Sequence, residues 1–132
     1  MLKTMLVVWL AFTAHVALAE ECARSVIANL YSELEAIDVA GEQRLGLALN
    51  ELSKREAWTE EQKNDYTLSI AERPEVDAAE SERTEFLGQL FTTAQRNSGD
   101  CAKIQELRGS ILRLEEQQWE HALRRVEQRL AQ

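Results

Sequence analysis

The stretch from Cys101 to Leu130 constrains the fold more than any other part of the chain. A single face can be read through Ile104, Leu107, Ile111, Glu115, Trp119, Ala122, Val126 and Leu130, with Leu112, Leu114 and Leu123 widening it. The mean step is about 3.7 residues, nearer the roughly 3.6 of a straight α-helix than the roughly 3.5 of a left-handed coiled coil. Such a helix is about 45 Å long at about 1.5 Å per residue, and its apolar face must be covered by something. The spacing predicts the backbone helix of a bundle. A dimer through this C-terminal helix is the alternative.

The rest of the chain reads as helix too. Only five glycines and one proline occur, and no run of alternating β-branched residues suggests a strand. A first helix is expected from Ala23 to Ile37, with Val26, Leu30, Leu34 and Ile37 on one face. Asp38 to Gly41 read as a break, followed by a second helix to Glu56 on Leu45, Leu49 and Leu52. Thr59-Glu60-Glu61-Gln62 fits a capping box, in which a threonine oxygen and a glutamine side chain satisfy each other's free amides. It opens a short helix to Ala71 that carries Tyr66 and Ile70. Pro74 ends that helix and suits the first turn of the next, where Glu75 and Asp77 meet the positive end of the dipole. This helix runs to Arg96 with Val76, Ala79, Phe86, Leu90 and Ala94 inward, and Asn97 to Asp100 form a turn. The expected fold is all-α: a small bundle of four to five helices with a long C-terminal helix and one disulfide.

Residues 1–19 have the layout of a secretory signal. Lys3 is the basic flank, Met5 to Phe12 are apolar, and Ala17-Leu18-Ala19 is a small-x-small cleavage pattern. Thr13 and His15 make the apolar run too short for a membrane anchor, and Glu20-Glu21 ahead of Cys22 do not suit lipid attachment. Export is therefore expected, to the periplasm or the extracellular space, leaving residues 20–132 as a single helical domain with no membrane span. None of the four asparagines begins an N-x-S/T site, which favours the periplasm.

In an exporting compartment, two cysteines favour one intramolecular bond, Cys22 to Cys101. The bond would bring two helix starts together, so the first and last helices should lie side by side and parallel, with the end of the last one overhanging. Trp119 and Leu123, toward that overhang, are candidates for a patch that a partner could cover; core packing is the other reading. After cleavage, fourteen basic residues face 23 acidic ones, a balance of −9. Such a chain is repelled by nucleic acid and anionic lipid.

No catalytic residue, metal site or cofactor is expected. The residue three before His121 is Gln118, so the Glu-x-x-His pair of a bundle di-metal site is missing. C-x-x-C-H, G-x-S-x-G, H-E-x-x-H and phosphate-binding glycine loops are absent as well. His121 falls about 160° from Trp119 around the helix, toward solvent. Glu72, Glu75, Asp77, Glu80, Glu82 and Glu85 read as a solvated face, with a weak cation or basic-partner site as the alternative. Arg124, Arg125 and Arg129 suit the negative end of the last helix. An enzyme would instead show perturbed carboxylates in a concavity around Tyr31 or Tyr66.

Trp58-Thr59-Glu60-Glu61-Gln62 resembles the L-T-x-x-Q motif of small helical periplasmic stress chaperones, with Trp in place of Leu, and Phe91-Thr92-Thr93-Ala94-Gln95 is a looser second match. The resemblance implies an all-helical, often dimeric, client-binding protein. Those chaperones present a basic surface, whereas this chain is acidic. The sequence thus points to a non-enzymatic exported protein that binds another protein of the envelope. A carrier of a small apolar ligand and a chaperone-like protein are the alternatives.

Overall fold

The computed structural model describes the backbone of residues 2–132 and the side chains of residues 21–132. The signal expected over residues 1–19 lies outside the residues whose side chains are described. The described residues form four helices: α1 (Leu2–Arg55), α2 (Glu60–Ala71), α3 (Pro74–Arg96) and α4 (Cys101–Leu130). No described helix is long and apolar enough to cross a membrane.

Local chemistry sets most of the boundaries. Thr59 Oγ1 accepts from Gln62 N at 3.2 Å while Gln62 Oε1 accepts from Thr59 N at 2.9 Å, the capping box that starts α2. Pro74 opens α3, and Asp100 accepts from Lys103 N at 3.1 Å to start α4. Ala57, with φ 55°, ends α1 in the left-handed region. Its N–H reaches Lys54 O and that of Trp58 reaches Ser53 O, the paired bonds of a Schellman ending.

The central element is α4, and both α1 and α3 pack mainly on it. Cross-contacts set the directions. Cys22 bonds Cys101, Glu33 pairs with Arg108, Asp38 with Trp119, and Arg55 with the Leu130 carbonyl, so α1 and α4 run parallel. Against them α3 runs antiparallel, with Arg83 beside Glu115 and Glu75 near Arg125. Around the disulfide, Ala23, Val26 and Ile104 are buried. Next come Leu30, Leu34, Leu90, Leu107 and Ile111, and at the far end Leu49, Leu52, Ile70, Ala122 and Val126. Each fully buried Leu, Ile or Val contributes about 1.5–3 kcal/mol against exposure.

Three expectations change. Residues 38–41 do not break the first helix, so the described residues form four helices, within the expected four to five. Asp38 lies within the continuous helix and accepts the Trp119 indole N–H at 2.9 Å. Gly41 is buried because the indole lies against its bare Cα: a Cβ there would stand 2.8 Å from Cε2 and closer still to Cγ and Cδ2. Cys22, expected ahead of the first helix, lies within α1. Finally, α4 does not overhang, since the unbroken α1 ends level with it and Arg55 Nη2 donates to the Arg129 carbonyl at 2.7 Å. The apolar face that would have served a coiled-coil dimer is covered within one chain by α1, α2 and α3.

The Cys22–Cys101 bond spans 79 residues, a loop whose closure stabilises by about 4–5 kcal/mol in the chain-entropy model. Cys101→Ser is expected to lower the melting temperature by roughly 10–25 °C, and reductant should reproduce the loss in the wild type. Gly41→Ala should destabilise by about 1–3 kcal/mol through the clash with Trp119. Gly88→Ala, with nothing within 4 Å of its new Cβ, should instead stabilise by about 0.5–1 kcal/mol. Urea unfolding of the two variants checks the contrast.

Candidate functional site

Halfway along the bundle, charged side chains interrupt the apolar clusters. Glu115 is only 4% exposed, on the inward face of α4 where the 3.7-residue row placed it. Arg83 Nη1 of α3 stands 2.8 Å from Glu115 Oε2, yet it approaches off the hydrogen-bonding direction. Glu115 Oε2 and Arg83 Nε are both left without a well-aligned hydrogen bond among the described residues. Asp38 of α1 completes the layer, held by the Trp119 indole N–H.

This setting pushes the Glu115 carboxyl up to about 7. Burial is the largest cause, since a charged carboxylate loses its hydration there. The hydrogen bond to Asp38, which the protonated carboxyl donates, acts in the same direction, and the Arg83 charge opposes both. Near neutral pH the layer therefore exchanges a proton. Glu115 itself has little access to solvent, so a substrate would meet Asp38 rather than Glu115.

Asp38 also lines a groove of about 470 Å³ between α1 and α3, with Tyr31, Leu34, Glu35, Val39 and Glu42 on one wall and Arg83, Leu87 and Phe91 on the other. The groove exists because the two helices pack on α4 more than on each other. Tyr31 is 59% exposed and Val39 47%, while Leu34 is buried and Leu87 and Phe91 are half-buried. From Tyr31 to Glu42 the wall runs about 16 Å at about 1.5 Å per residue, or three helical turns. An apolar floor with carboxylates on its rim can take an apolar face flanked by basic groups.

At the far end of the molecule, Arg129 donates twice to Glu56, at 2.9 and 2.6 Å. Its guanidinium lies 4.9 Å from the Trp58 ring centre and 5.0 Å from that of Tyr66. This pairing holds Glu56 below its usual carboxylate range, through the hydrogen bond first. The bidentate Arg108 does the same to Glu33.

The residues expected from sequence fall in different places. Cys22 and Cys101 are joined. Leu123 is 7% exposed and Trp119 is half-buried with its indole on Gly41 of α1, so the two do not stand together in an open apolar patch. His121, expected at the surface, is half-buried in a shallow hollow with Glu75, Arg124, Arg125 and Gln128. The acidic side chains from Glu72 to Glu85 are all exposed. Of the chaperone-like segments, the first is the α2 capping box and the second lies inside α3. Sequence reasoning missed Asp38 and Arg83, although a glutamate within an apolar row was a signal that a partner charge must lie opposite. Compared with family models, curated proteins and solved structures, the chain matches none.

The pH dependence of stability follows from these carboxyls. Glu115 has its folded value raised above the ordinary 4.5, so its contribution is full below about 4.5 and is lost as pH rises toward 7. The loss is about 2–3 kcal/mol. Glu33 and Glu56, with lowered values, act the other way and weaken the fold as pH falls below 4.5 through their depressed values. Stability should therefore peak near pH 5, and Glu115→Gln should flatten the decline between pH 5 and 8. Urea midpoints across that range check both statements.

Proposed function

We propose that this is an exported, non-enzymatic helical protein that acts by binding another envelope protein, and that the α1–α3 groove receives a basic amphipathic helix of that partner. The observation that carries the reading is an apolar groove rimmed by Glu35, Asp38 and Glu42 on a chain of net charge −8. A second copy of the chain is a poor occupant because like charges oppose its approach. A basic segment is drawn in by the same field, and its apolar face finds Tyr31, Val39, Leu87 and Phe91.

Periplasmic residence is supported by the signal-like pattern of residues 1–19 and by the single disulfide, which persists in oxidising compartments. The small-ligand carrier is less well supported, since an apolar molecule in the open groove would stay partly in water. A chaperone-like role shares the groove but would accept many clients.

Protein recovered from an exporting cell is expected to begin at Glu20. A photo-crosslinking residue at position 31 or 39 should capture one protein whose contacting peptide is basic and helical. Glu35→Lys with Glu42→Lys should abolish the capture, and a crosslinker at Leu47, exposed away from the groove, should not reproduce it. Equal capture from Leu47, persistence in the charge-reversed variant, or adducts with only a second copy would each overturn the reading.

A further inference from the structure

A hollow of about 530 Å³ opens between α2 and the C-terminal ends of α1 and α4, at the opposite end of the bundle from the disulfide. Arg55, Arg73, Arg125 and Arg129 all line it. They come from three separate parts of an acidic chain, and Glu56 is the one acidic side chain among the lining residues. The helix dipole explains arginines near the end of α4, but it does not account for Arg73, which immediately precedes α3.

Internal partners occupy half of the set. Arg129 is held by Glu56. Arg55 donates to the Leu130 and Arg129 carbonyls and lies 3.8 Å from Glu56. The other two arginines are under-used. Among the described residues, no carboxylate lies within ion-pairing distance of Arg73. Arg125 Nε has only Glu75 at 3.9 Å, too far for a hydrogen bond, and this buried N–H has no acceptor. The Nε of Arg125 is buried while its side chain as a whole stays 39% exposed, so the guanidinium can still take an oxygen from the hollow, which a second guanidinium lines as well.

We propose that this hollow binds a phosphate-type dianion between Arg73 and Arg125. Two guanidiniums lacking close partners match two negative charges, and the planar fork of each fits a pair of phosphate oxygens. A lone carboxylate would leave one of the two uncompensated. The Gln128 amide, in the same lining, can supply a further neutral donor. Arg55 and Arg129, fixed by their own partners, keep the surrounding wall positive and in place. The site is independent of the α1–α3 groove, so neither proposal stands or falls with the other.

The test is a titration of isotope-labelled, disulfide-intact protein with inorganic phosphate and with pyrophosphate, at ionic strength held constant by chloride. Arginine Nε–Hε resonances are the readout. Saturable shifts are expected at Arg73 and Arg125, and none at the exposed Arg24 and Arg44. Arg73→Gln and Arg125→Gln should each weaken binding about ten-fold or more, with Arg44→Gln unchanged. Should Arg125→Gln disturb the fold, Arg73→Gln, whose side chain has no ion pair to lose, carries the test.

A parallel arm compares vesicles of phosphatidic acid in phosphatidylcholine with vesicles of phosphatidylcholine alone. Capture that depends on Arg73 only on the former identifies a headgroup as the source of the phosphate, and saturation by free phosphate without capture identifies the soluble ion. Shifts that never saturate, that appear equally at Arg24 and Arg44, or that survive both substitutions would overturn the proposal.

Discussion

Parallel packing of α1 against α4 is the constraint on which the rest of the molecule depends. Adjacent helices in a chain usually pack antiparallel through a short loop. A parallel pair must be joined by chain that travels the whole length back, and α3 does this with α2 turning the corner. The pair is fixed at both ends: by the Cys22–Cys101 bond at one, and at the other by Arg55, which donates to the last carbonyls of α4. Between them the indole of Trp119 rests on Gly41 and donates to Asp38. That contact sets the helix spacing at mid-height and aims Asp38 at the polar layer.

The polar layer has an energetic cost that the apolar clusters on either side must offset. Burying a carboxylate beside another carboxylate is unfavourable, and a single guanidinium compensates only in part. Glu115 answers by holding its proton to about pH 7. Such layers can specify register, because sliding α4 by one turn would move Glu115 away from both Arg83 and Asp38 and into an apolar cluster. Two members of the layer, Asp38 and Arg83, also line the groove, so the feature that fixes helix register brings a carboxylate to the candidate binding surface.

Charge is distributed unevenly over the two ends and the middle. The acidic residues of the first half of α3 are exposed, and the groove rim is acidic, whereas the α2 end gathers four arginines around one hollow. A chain of net charge −8 that nonetheless concentrates guanidiniums at one end presents surfaces of opposite sign at separate places.

The sequence by itself determined the helices and much of the core. The limits of α4, the capping box at Thr59, the role of Pro74, the disulfide pairing and the inward placement of Glu115 all follow from spacing and local chemistry, which act over a few residues. Asp38 to Gly41 were misread for the same reason. Within their own stretch an aspartate and a glycine look like the end of a helix, and only the indole from 78 residues further along the chain gives them another purpose. The groove, the Asp38–Glu115–Arg83 layer and the arginine-lined hollow were decided by tertiary structure alone. The groove joins side chains from two helices, the layer and the hollow from three or more, and their meeting depends on the mutual rotation and register of those helices, which no local pattern encodes.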